Sequence, residues 1–461
     1  MSSKRSQLLA ALLTGSVLLS GCNGGNDATQ TSYAGVVSDS GALLSYTVLR
    51  DDLEDGANPG STFEIRNGGF GSSAAADPTN INRFYALTDR GPNATYTGAD
   101  GSGKIFPNPD YTPRIGLFEI QPDGSVAKIK EILLKDTEGN PISGLPNSTA
   151  LGGTGEIPYD ADGNTLLDGE GNILTDDFGL DSEGLAVMKD GTFWVSDEYG
   201  PHIVHYSANG KEIGRINPFA ADSRNLYTLP AEFGNRWANR GMEGLTVTPD
   251  QKTLVGMMQS TLDNPDKTVR GTLTRIVTID LDTGATKQYL YRQELAKNSN
   301  SEIAAIDNDT FLVIERDGNF YEQTPTTMKH VYKIKLSTGT ELEGMALSAG
   351  MLQDDALGLT IDGKSLEAVA LESGWPALEA KGIVPVDKSL VVDMVAQVQY
   401  PHDKMEGLII FNDTTLGILN DDDFAMWSTD GVLEQKYLDA AKTKIDGNTL
   451  YIVKDLDLGA Y

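Results

Sequence analysis

The sequence predicts an all-β fold, most simply a six-bladed β-propeller. Fifty glycines in 461 residues, few long helical patterns and short strand-like runs between turn sequences favour sheet over helix. Strand-like runs include 191–196, 252–256 and 310–314. Tight turns between alternating apolar residues predict hairpins at 122–124, 208–210, 282–284, 337–339 and 429–431.

Self-alignment of the chain shows a repeat that begins with an acidic residue and a small apolar strand. After a turn, a second strand ends in polar or acidic residues. Four copies run from Glu183 to Glu198, Glu243 to Gln259, Glu302 to Asp317 and Glu406 to Asp422, and a partial copy ends at Asp89-Arg90. A hairpin turn follows each full copy, so each unit holds about four strands, the content of a propeller blade.

The spacing of the copies predicts six blades. Starts at 183, 243 and 302 lie about 60 residues apart, and the interval from 302 to 406 has room for two units, the second within 350–400. Residues 41–49 and 447–454 are predicted to pair and complete one blade. Glu343-Gly344-Met345 imitates the repeat but lies beyond the hairpin at Gly339, so it is excluded.

Residues 136–180 are rich in Gly, Asp and Asn and predict an acidic loop inserted between the first two units. Within it, Asp160, Asp162 and Asn164, with Asp168, resemble a Ca²⁺ loop. The glycine is not where an EF-hand needs it, and no Glu closes the loop.

The N-terminus predicts a lipoprotein. Lys4 and Arg5 precede an apolar run at 8–19 that ends in Leu19-Ser-Gly-Cys22, a signal peptide with a lipobox. The prediction is a signal peptide at 1–21, a lipidated flexible tether at 22–35 and one propeller domain at 36–461. Attachment to the membrane through lipid on Cys22 alone places the protein in the cell envelope, at the outer membrane facing the periplasm or the cell surface. Ordinary secretion is the alternative.

Net charge and cysteine content limit the kinds of partner and of stabilising bond that can be expected. The net charge is −30, and removal of residues 1–21 makes it −32, so nucleic acid is not expected. Cys22 is the only cysteine, which excludes an intramolecular disulfide. We expect a monomer whose stability comes from its core and from bound metal ions.

The repeat also predicts where the acids meet. In an antiparallel hairpin the first residue of one strand lies beside the last residue of the next, so the acids converge at one mouth of the central channel. Crowded carboxylates raise one another's pKa, and Ca²⁺, which takes many oxygen ligands, relieves that conflict. The predicted Ca²⁺ ligands are Asp89, Glu183, Asp197, Glu198, Glu315, Glu406 and Asp421. The alternative is that these acids cap strands and pair with arginines as structural ion networks.

Cations beside the same motifs suggest that the mouth grips a phosphoryl group. Glu302 or Glu243 is predicted to accept a proton from water, and Arg90 or Arg316 to stabilise developing charge. Arg240, Lys404 and His202 are predicted to bind substrate, and His402 is a further candidate. The sequence shows no Gly-x-Ser-x-Gly elbow, His-Glu-x-x-His motif or Gly-Lys-Thr phosphate loop, so a serine hydrolase is disfavoured.

Four longer motifs carry a family resemblance: Asp89-Arg-Gly-Pro92, the block from Asp181-Ser-Glu-Gly-Leu185 to Asp197-Glu-Tyr-Gly-Pro201, Asn239-Arg-Gly-Met-Glu-Gly-Leu245, and Leu312-Val-Ile-Glu-Arg-Asp317. In order along roughly residues 40–440, they resemble the bacterial phytase-like domain, the esterase-like phytase family. The resemblance implies a β-propeller and a phosphoester-related activity, with the substrate open. The chain does not resemble the secreted Ca²⁺-dependent β-propeller phytases, so phytate is not carried over.

The expected function is therefore Ca²⁺-dependent hydrolysis of a small phosphorylated substrate in the envelope. Two alternatives remain open. One is a non-catalytic propeller that binds a ligand or partner and keeps Ca²⁺ as a structural ion. The other is a metal-dependent lactonase or esterase. The fold alone does not separate them.

Overall fold

The computed structural model describes residues 30–459. The predicted signal peptide, Cys22 and most of the tether lie outside these residues. The first strands are β1 (Ala42–Leu43), β2 (Val48–Arg50), β3 (Ile65–Arg66), β4 (Ser73–Ala76), β5 (Arg83–Leu87), β6 (Ala94–Gly98), β7 (Gly101–Ile105), β8 (Arg114–Ile120), β9 (Val126–Leu133) and β10 (Ile157–Tyr159). The next are β11 (Ser182–Val187), β12 (Phe193–Asp197), β13 (Ile203–Tyr206), β14 (Glu212–Asn217), β15 (Asn225–Thr228), β16 (Met242–Val247), β17 (Thr253–Met258), β18 (Leu273–Asp280), β19 (Thr286–Arg292), β20 (Ser299–Ala305) and β21 (Thr310–Arg316).

The remaining strands are β22 (Lys329–Lys335), β23 (Met351–Asp354), β24 (Gly358–Ile361), β25 (Lys364–Ser365), β26 (Asp387–Asp393), β27 (Gly407–Asn412), β28 (Thr415–Leu419), β29 (Met426–Thr429), β30 (Val432–Gln435) and β31 (Thr449–Val453). The α-helices are α1 (Leu366–Ser373), α2 (Trp375–Glu379) and α3 (Met394–Val398). Short 3₁₀ turns occur at Ala34–Val36, Thr149–Leu151, Ala231–Asn235, Lys267–Val269, Leu336–Thr338 and Asp423–Ala425. No helix among residues 30–459 is long and apolar enough to cross a membrane.

Five sheets form the blades of a propeller. Blade 1 is β4-β5-β8-β9, blade 2 is β11-β12-β13-β14-β15, blade 3 is β16-β17-β18-β19, blade 4 is β20-β21-β22-β26 and blade 5 is β27-β28-β31-β1. The innermost strands β4, β11, β16, β20 and β27 contact one another in that order, and β27 returns to β4. The ring is therefore closed, and the all-β propeller prediction is confirmed.

The described residues form five blades where the spacing predicted six. The segment expected to hold the extra blade instead folds as β23-β24-β25 with α1 and α2, inserted between β22 and β26 of blade 4. Near-equal repeat spacing suggested a blade there, but the insertion has no strand in the inner ring. Glu343 accepts a hydrogen bond from the backbone N–H of Gln288 in β19, at 2.6 Å, so it lies against the outer strand of blade 3 and outside the inner ring, as its exclusion from the repeat requires.

The same insertion contains a phosphate-loop match that the sequence analysis missed. Gly358 to Ser365 fits the pattern Gly-x₄-Gly-Lys-Ser, yet its middle residues form β24 and a turn. Ser365 caps α1 by accepting the N–H of Ala368, and it donates to the carbonyl of Asn264. Lys364 pairs with Glu372 of α1. These contacts occupy the groups that a phosphate loop would offer to a ligand.

Blade 5 closes the ring with both ends of the body. β1 pairs antiparallel with β31, Ala42 opposite Leu450 and Leu43 opposite Thr449, as predicted. The folded body begins slightly before the predicted boundary at residue 36. Tyr33 N donates to Asn82 Oδ1 at 2.7 Å, and Ala34 and Val37 are buried.

The core lies between neighbouring blades, because both faces of each sheet are covered. In β21, Phe311 and Val313 pack toward blade 3, whereas Leu312 and Ile314 pack toward blade 5. A strand buried on both faces reads as a continuous apolar run, which explains the 310–314 segment.

Residues 136–180 lie in the connection between β9 of blade 1 and β11 of blade 2. Three Asp-x-x-Gly-Asn turns, which begin at Asp136, Asp160 and Asp168, shape it. Asp160 Oδ1 accepts the backbone N–H groups of Asp162 and Asn164, both at 2.9 Å, and Asp168 repeats the arrangement. The Ca²⁺-loop resemblance is therefore explained by turns whose carboxylates are already hydrogen-bonded.

Candidate functional site

A cavity of about 460 Å³ opens where the innermost strands begin. Strand register explains which side chains reach it. Gly184, Gly244 and Gly407 pair with Ser196, Met257 and Leu419, while Ser73 pairs with Leu87 and Glu302 with Ile314. These five pairs lie at one level of the channel. We call the residue just before this level on each innermost strand its start position: Ser72, Glu183, Glu243, Ser301 and Glu406. We call the residue two places after each paired residue on the second strand its end position: Asp89, Glu198, Gln259, Arg316 and Asp421.

Local backbone irregularity turns the start positions inward. The pairing shifts register around Glu183, Glu243 and Ser301, which marks a bulge at the start of β11, β16 and β20. A glycine follows the glutamate of the Glu-Gly-Leu motif because the innermost strands come very close to one another. A Cβ on Gly184 would lie 2.6 Å from the carbonyl oxygen of Glu243. The Glu-Gly-Leu motif therefore combines an inward acid with a close approach of strands.

The start and end positions supply nearly half of the charged side chains that line the cavity. Glu183, Glu243, Glu406, Asp89, Glu198, Gln259 and Arg316 line the cavity. Asp421 lies behind Lys404, whose Nζ contacts Asp421 Oδ2 at 2.6 Å and Asp423 Oδ1 at 2.7 Å. Of the predicted substrate-binding residues, Arg240 and Lys404 line the cavity.

Three carboxylates gather on one wall. Asp89, Asp181 and Glu183 each place an oxygen within 4.8 Å of the others. The Glu183 side chain is buried, yet it forms no hydrogen bond or ion pair with any described residue. Burial, together with Asp181 and Glu198, raises the pKa of Glu183 well above its usual value. Burial, Asp421 and Asp181 do the same to the pKa of Asp89. Such a group fits a hard cation with oxygen ligands.

A second acidic group lies on blades 2 and 3. Gln259 Nε2 donates to Glu198 Oε1 at 2.7 Å and also to Glu243 Oε1. Glu243 Oε2 is buried without a hydrogen-bond partner among the described residues. Burial raises the pKa of Glu243 against the opposing field of Arg316. Burial, Asp181 and Glu243 raise the pKa of Glu198. These carboxyls can hold and exchange a proton.

Two arginines are fixed by carboxylates. Arg90 forms ion pairs with Asp181 and Glu156, and its Nη1 lies 3.3 Å from the Tyr199 hydroxyl. Arg316 forms an ion pair with Glu406, and its Nε donates to Ser301 Oγ at 2.9 Å. Burial raises the pKa of Glu406 to about 8, although Lys404 and Arg316 oppose it.

Two other cations in the cavity have no acidic partner. Arg240 Nη1 donates to Ser260 Oγ at 2.9 Å, and its guanidinium lies 4.6 Å from the Trp237 ring centre. Lys104 Nζ has only Thr95 Oγ1, at 3.4 Å. Within residues 30–459, neither forms an ion pair with a carboxylate. Burial lowers the pKa of both. An anion that entered the cavity would therefore meet these two charges uncompensated.

Five predicted site residues do not line the cavity: Asp421, which lies behind Lys404, and Glu302, Glu315, Asp197 and His202. In blade 4 the start position was placed one residue late and the end position one residue early, so Ser301 and Arg316 hold the positions expected for Glu302 and Glu315. A one-residue shift moves a side chain to the other face of a strand. Glu315 accepts from Asn298 Nδ2 and the Tyr291 hydroxyl, both at 2.7 Å, toward blade 3.

Glu302 lies one level below the mouth, where the other blades carry Gly or Ser. Its Oε1 accepts the N–H of Ile303 at 2.9 Å and of Leu245 at 3.4 Å, and Ser73 donates to its Oε2. Burial raises its pKa well above the usual value, although these donors oppose the shift. Glu302 therefore joins blades 1, 3 and 4 at the channel axis.

Asp197 and His202 lie behind the cavity wall. Asp197 accepts the N–H groups of Gly200 and His202, at 3.1 and 2.7 Å, and burial raises its pKa to about 7. His202 Nε2 bonds the Leu151 carbonyl at 3.0 Å and Nδ1 faces Asn217, so the ring is held by its surroundings. Burial lowers the pKa of His202. His402 is likewise buried, between Asp446 and Tyr451.

Sequence reasoning missed several cavity residues: Asp181, Glu156, Gln259, Lys104 and Trp427. Asp181 could have been found, because it belongs to the Asp-Ser-Glu-Gly-Leu motif. Gln259 also carried a signal, because it ends one copy of the repeat, whereas Lys104, Glu156 and Trp427 have none, since they come from the β6-β7 hairpin, the 136–180 insertion and the β29-β30 hairpin. These segments reach the mouth only through long-range folding.

The sequence also matches a known family. A model described as Phytase-like, esterase-like activity of phytase, matches residues 65–424, more than half of the chain. The chain belongs to this family. The match confirms the resemblance carried by the Asp89, Asp181, Asn239 and Leu312 motifs.

A relative from Arthroderma benhamiae, described as an uncharacterized secreted protein, is 29% identical over 334 residues. The alignment covers 59% of this chain and 64% of the relative, so the chain spans less than two thirds of that protein.

Solved structures with detectable similarity share little sequence. PorZ of Porphyromonas gingivalis is 12% identical, with 88% of this chain and 48% of that chain covered, at a TM-score of 0.30. A PQQ-bound aldose sugar dehydrogenase from Streptomyces coelicolor is 11% identical, with 89% and 98% covered, at a TM-score of 0.29. Virginiamycin B lyase from Staphylococcus aureus is 10% identical, with 77% and 93% covered, at a TM-score of 0.29.

Proposed function

We propose that the protein is a Ca²⁺-dependent phosphoester hydrolase that acts on small substrates at the acidic mouth of the propeller. One observation carries this proposal: a cavity that gathers three carboxylates also holds two cations with no acidic partner. A metal site and an anion site then share one space, which is the requirement for metal-assisted attack on a phosphoryl group.

The donor set fits the ion. Asp89, Asp181 and Glu183 supply hard oxygen ligands, and Ca²⁺ accepts such ligands in loose geometry. Glu183 gives the strongest support, because a buried carboxylate without a protein partner is costly unless a cation binds it. Asp181 would bind both the ion and Arg90, because Arg90 forms an ion pair with it. A bound Ca²⁺ would polarise a phosphoryl oxygen and lower the pKa of water.

The chain's own residues take the remaining roles. Arg240 and Lys104 bind the phosphoryl oxygens, since neither forms an ion pair with a carboxylate of the described residues. Glu243 accepts a proton from water, and Gln259, which donates to both Glu243 and Glu198, holds its carboxylate in place. Arg90 and Arg316 orient Asp181 and Glu406 rather than meet the substrate directly. Lys404 forms ion pairs with Asp421 and Asp423, which fix its ammonium group at the cavity wall.

Two other activities would use the same residues. The family description mentions esterase-like activity, which favours a test of carboxylic esters and lactones as second substrates. A protein that binds Ca²⁺ and an anion without turnover would be a ligand-binding propeller.

We also propose that the protein works outside the cytoplasm, as an envelope lipoprotein attached through Cys22. The signal-peptide pattern and the secreted relative support this location. Uptake of labelled fatty acid by the wild-type chain and its loss in Cys22→Ser is the expected result.

The function is tested with a chromogenic phosphomonoester, a phosphodiester and a lactone, each with Ca²⁺ and with a chelator. We expect phosphomonoester turnover that chelation abolishes and Ca²⁺ restores. Turnover of the lactone alone would replace the proposal with a lactonase. Ca²⁺ binding by calorimetry without turnover of any substrate would replace it with a binding protein.

A further inference from the structure

One tryptophan differs from the other three in its surroundings. Trp194 and Trp375 are buried, and Trp237 has the guanidinium groups of Arg240 and Arg270 at 4.6 and 3.6 Å from its ring centre. Trp427 is 41% exposed and lines the cavity beside Met426 and Ser428. An exposed indole on the wall of a charged cavity offers a flat apolar surface to a ligand.

The indole of Trp427 is held in place by its own hairpin and by neighbours. It lies on β29 opposite Glu434 of β30. Phe320 meets its ring edge-on at 6.4 Å between centroids, and Lys436 Nζ lies 5.7 Å from the ring centre. Trp427 also borders a second, smaller cavity together with Phe320 and Lys436, and a side chain restricted by such neighbours loses little freedom when a ligand stacks on it.

The charges of the cavity supply the second half of the argument. Arg240 and Lys104 are its two unpaired cations, and Trp427 is its exposed aromatic ring. A ligand that satisfies both features carries an anionic group and a flat ring. A simple alkyl phosphate satisfies only the first.

We propose that the substrate is a phosphoester whose alcohol part carries a flat aromatic ring, which stacks on Trp427 while Arg240 and Lys104 bind the phosphoryl group. This inference rests on the proposed function and narrows its substrate class. It requires that Trp427 contribute to binding only when the ligand carries a ring, and that Arg240 and Lys104 contribute to the binding of every phosphoester.

The test compares phenyl phosphate, which has a flat ring, with glycerol phosphate, which has none, in the full chain with Ca²⁺. Trp427→Ala should raise KM for phenyl phosphate about tenfold, as expected for loss of ring stacking, and leave KM for glycerol phosphate within about twofold. Trp427→Phe should restore most of the loss. Val432→Ala removes an exposed apolar side chain from the same hairpin and should change neither. Arg240→Gln should raise KM for both substrates alike.

The leaving-group difference between the substrates cancels, because each variant is compared with wild type on the same substrate. Equal effects of Trp427→Ala on both substrates, or none, would overturn the inference and leave the hydrolase proposal intact. Calorimetric binding of phenylphosphonate covers the other case. If wild type turns over neither ester yet binds phenylphosphonate through Trp427, the ligand class stands and the hydrolase proposal fails. Absence of both turnover and binding overturns both.

Discussion

At one end of the central channel three of the five innermost strands have Glu at the start position and two have Ser, whereas at the other end the same strands present mainly Ala, Leu, Ile and Val. The second end holds a cavity of about 410 Å³ lined by segments 74–76, 185–187, 245–247, 303–306 and 408–411. The five strands share one backbone arrangement, so the backbone does not set the chemistry. Side-chain identity along each strand sets it: blades 2, 3 and 5 have Glu at the start position and Gly next, blades 1 and 4 have Ser at the start position, and apolar residues follow.

Glu302 lies between the two regions and belongs chemically to neither. It is an acid like the residues of the mouth, but its oxygens are bonded by Ser73 and by two backbone amides, as a structural carboxylate requires. Glu183 shows the opposite combination, since it is buried and lacks any described partner. An acid without a protein partner points to a ligand, and an acid with several points to the scaffold.

The largest expected effect separates these two kinds of acid through activity. Glu183→Gln keeps the size of the side chain and removes one ion ligand, so phosphomonoester turnover should fall about a hundredfold or more while the fold is kept. Glu343→Gln is the matched control, because Glu343 bonds Gln288 on an outer strand. A phosphatase assay at fixed Ca²⁺, with circular dichroism to confirm folding, measures both. Similar losses in both variants would show that the mouth is not the active site.

The second largest expected effect separates acids with protein partners from acids without them by their contribution to the free energy of unfolding. Glu302→Ala leaves the buried amides of Leu245 and Ile303 without an acceptor and opens a void between blades, at a cost of about 2–5 kcal/mol. Glu302→Gln should cost far less, because the amide oxygen still accepts both N–H groups and the amide nitrogen can donate to Ser73 Oγ. Denaturant unfolding measures the free energy in each variant. An alanine variant as stable as wild type would mean that Glu302 does not hold the blades together.

Much of the scaffold is predictable because strand pairing leaves a periodic signal. The Glu-Gly-Leu repeats located the innermost strands of blades 2, 3 and 5, and residues 41–49 and 447–454 supplied the closing pair. Blade 4 was misaligned because Ser301-Glu302 stands where the other blades have Glu-Gly, and the acid was matched to an acid. The correct register puts a bulge at Ser301 and turns Arg316 inward, which no local pattern specifies.

The site was less predictable for a related reason. Repeat geometry brings strand ends together, and the predicted residues that line the cavity are Asp89, Glu183, Glu198, Glu243, Glu406, Arg316, Arg240, Arg90 and Lys404. Lys104, Glu156 and Trp427 come from insertions that cross the mouth, and their positions depend on contacts with segments far away in sequence. The distinction between partnered and unpartnered acids also needs the folded structure.

The smallest expected effect is the pH dependence of folding stability, with and without Ca²⁺ at the mouth. Burial raises the pKa of Asp422 to about 7 and that of Glu406 to about 8, and it also raises the pKa values of Asp89 and Glu183. In the unfolded chain these acids titrate near pH 4, so between about pH 4 and 8 the native state binds more protons than the unfolded state. In the presence of a chelator, the stability that these groups contribute should therefore be fully present below about pH 4 and should be lost as the pH rises through 7 to 8.

Ca²⁺ competes with those protons, so the rise in melting temperature that Ca²⁺ causes should become larger, by a few degrees, from pH 5.5 to 8. Differential scanning calorimetry of wild type and Glu183→Gln, with Ca²⁺ and with a chelator, measures the difference. The variant should lose most of the Ca²⁺ effect at every pH. A Ca²⁺ effect that shrinks as the pH rises, or that survives in Glu183→Gln, would place the ion away from the three carboxylates of the mouth.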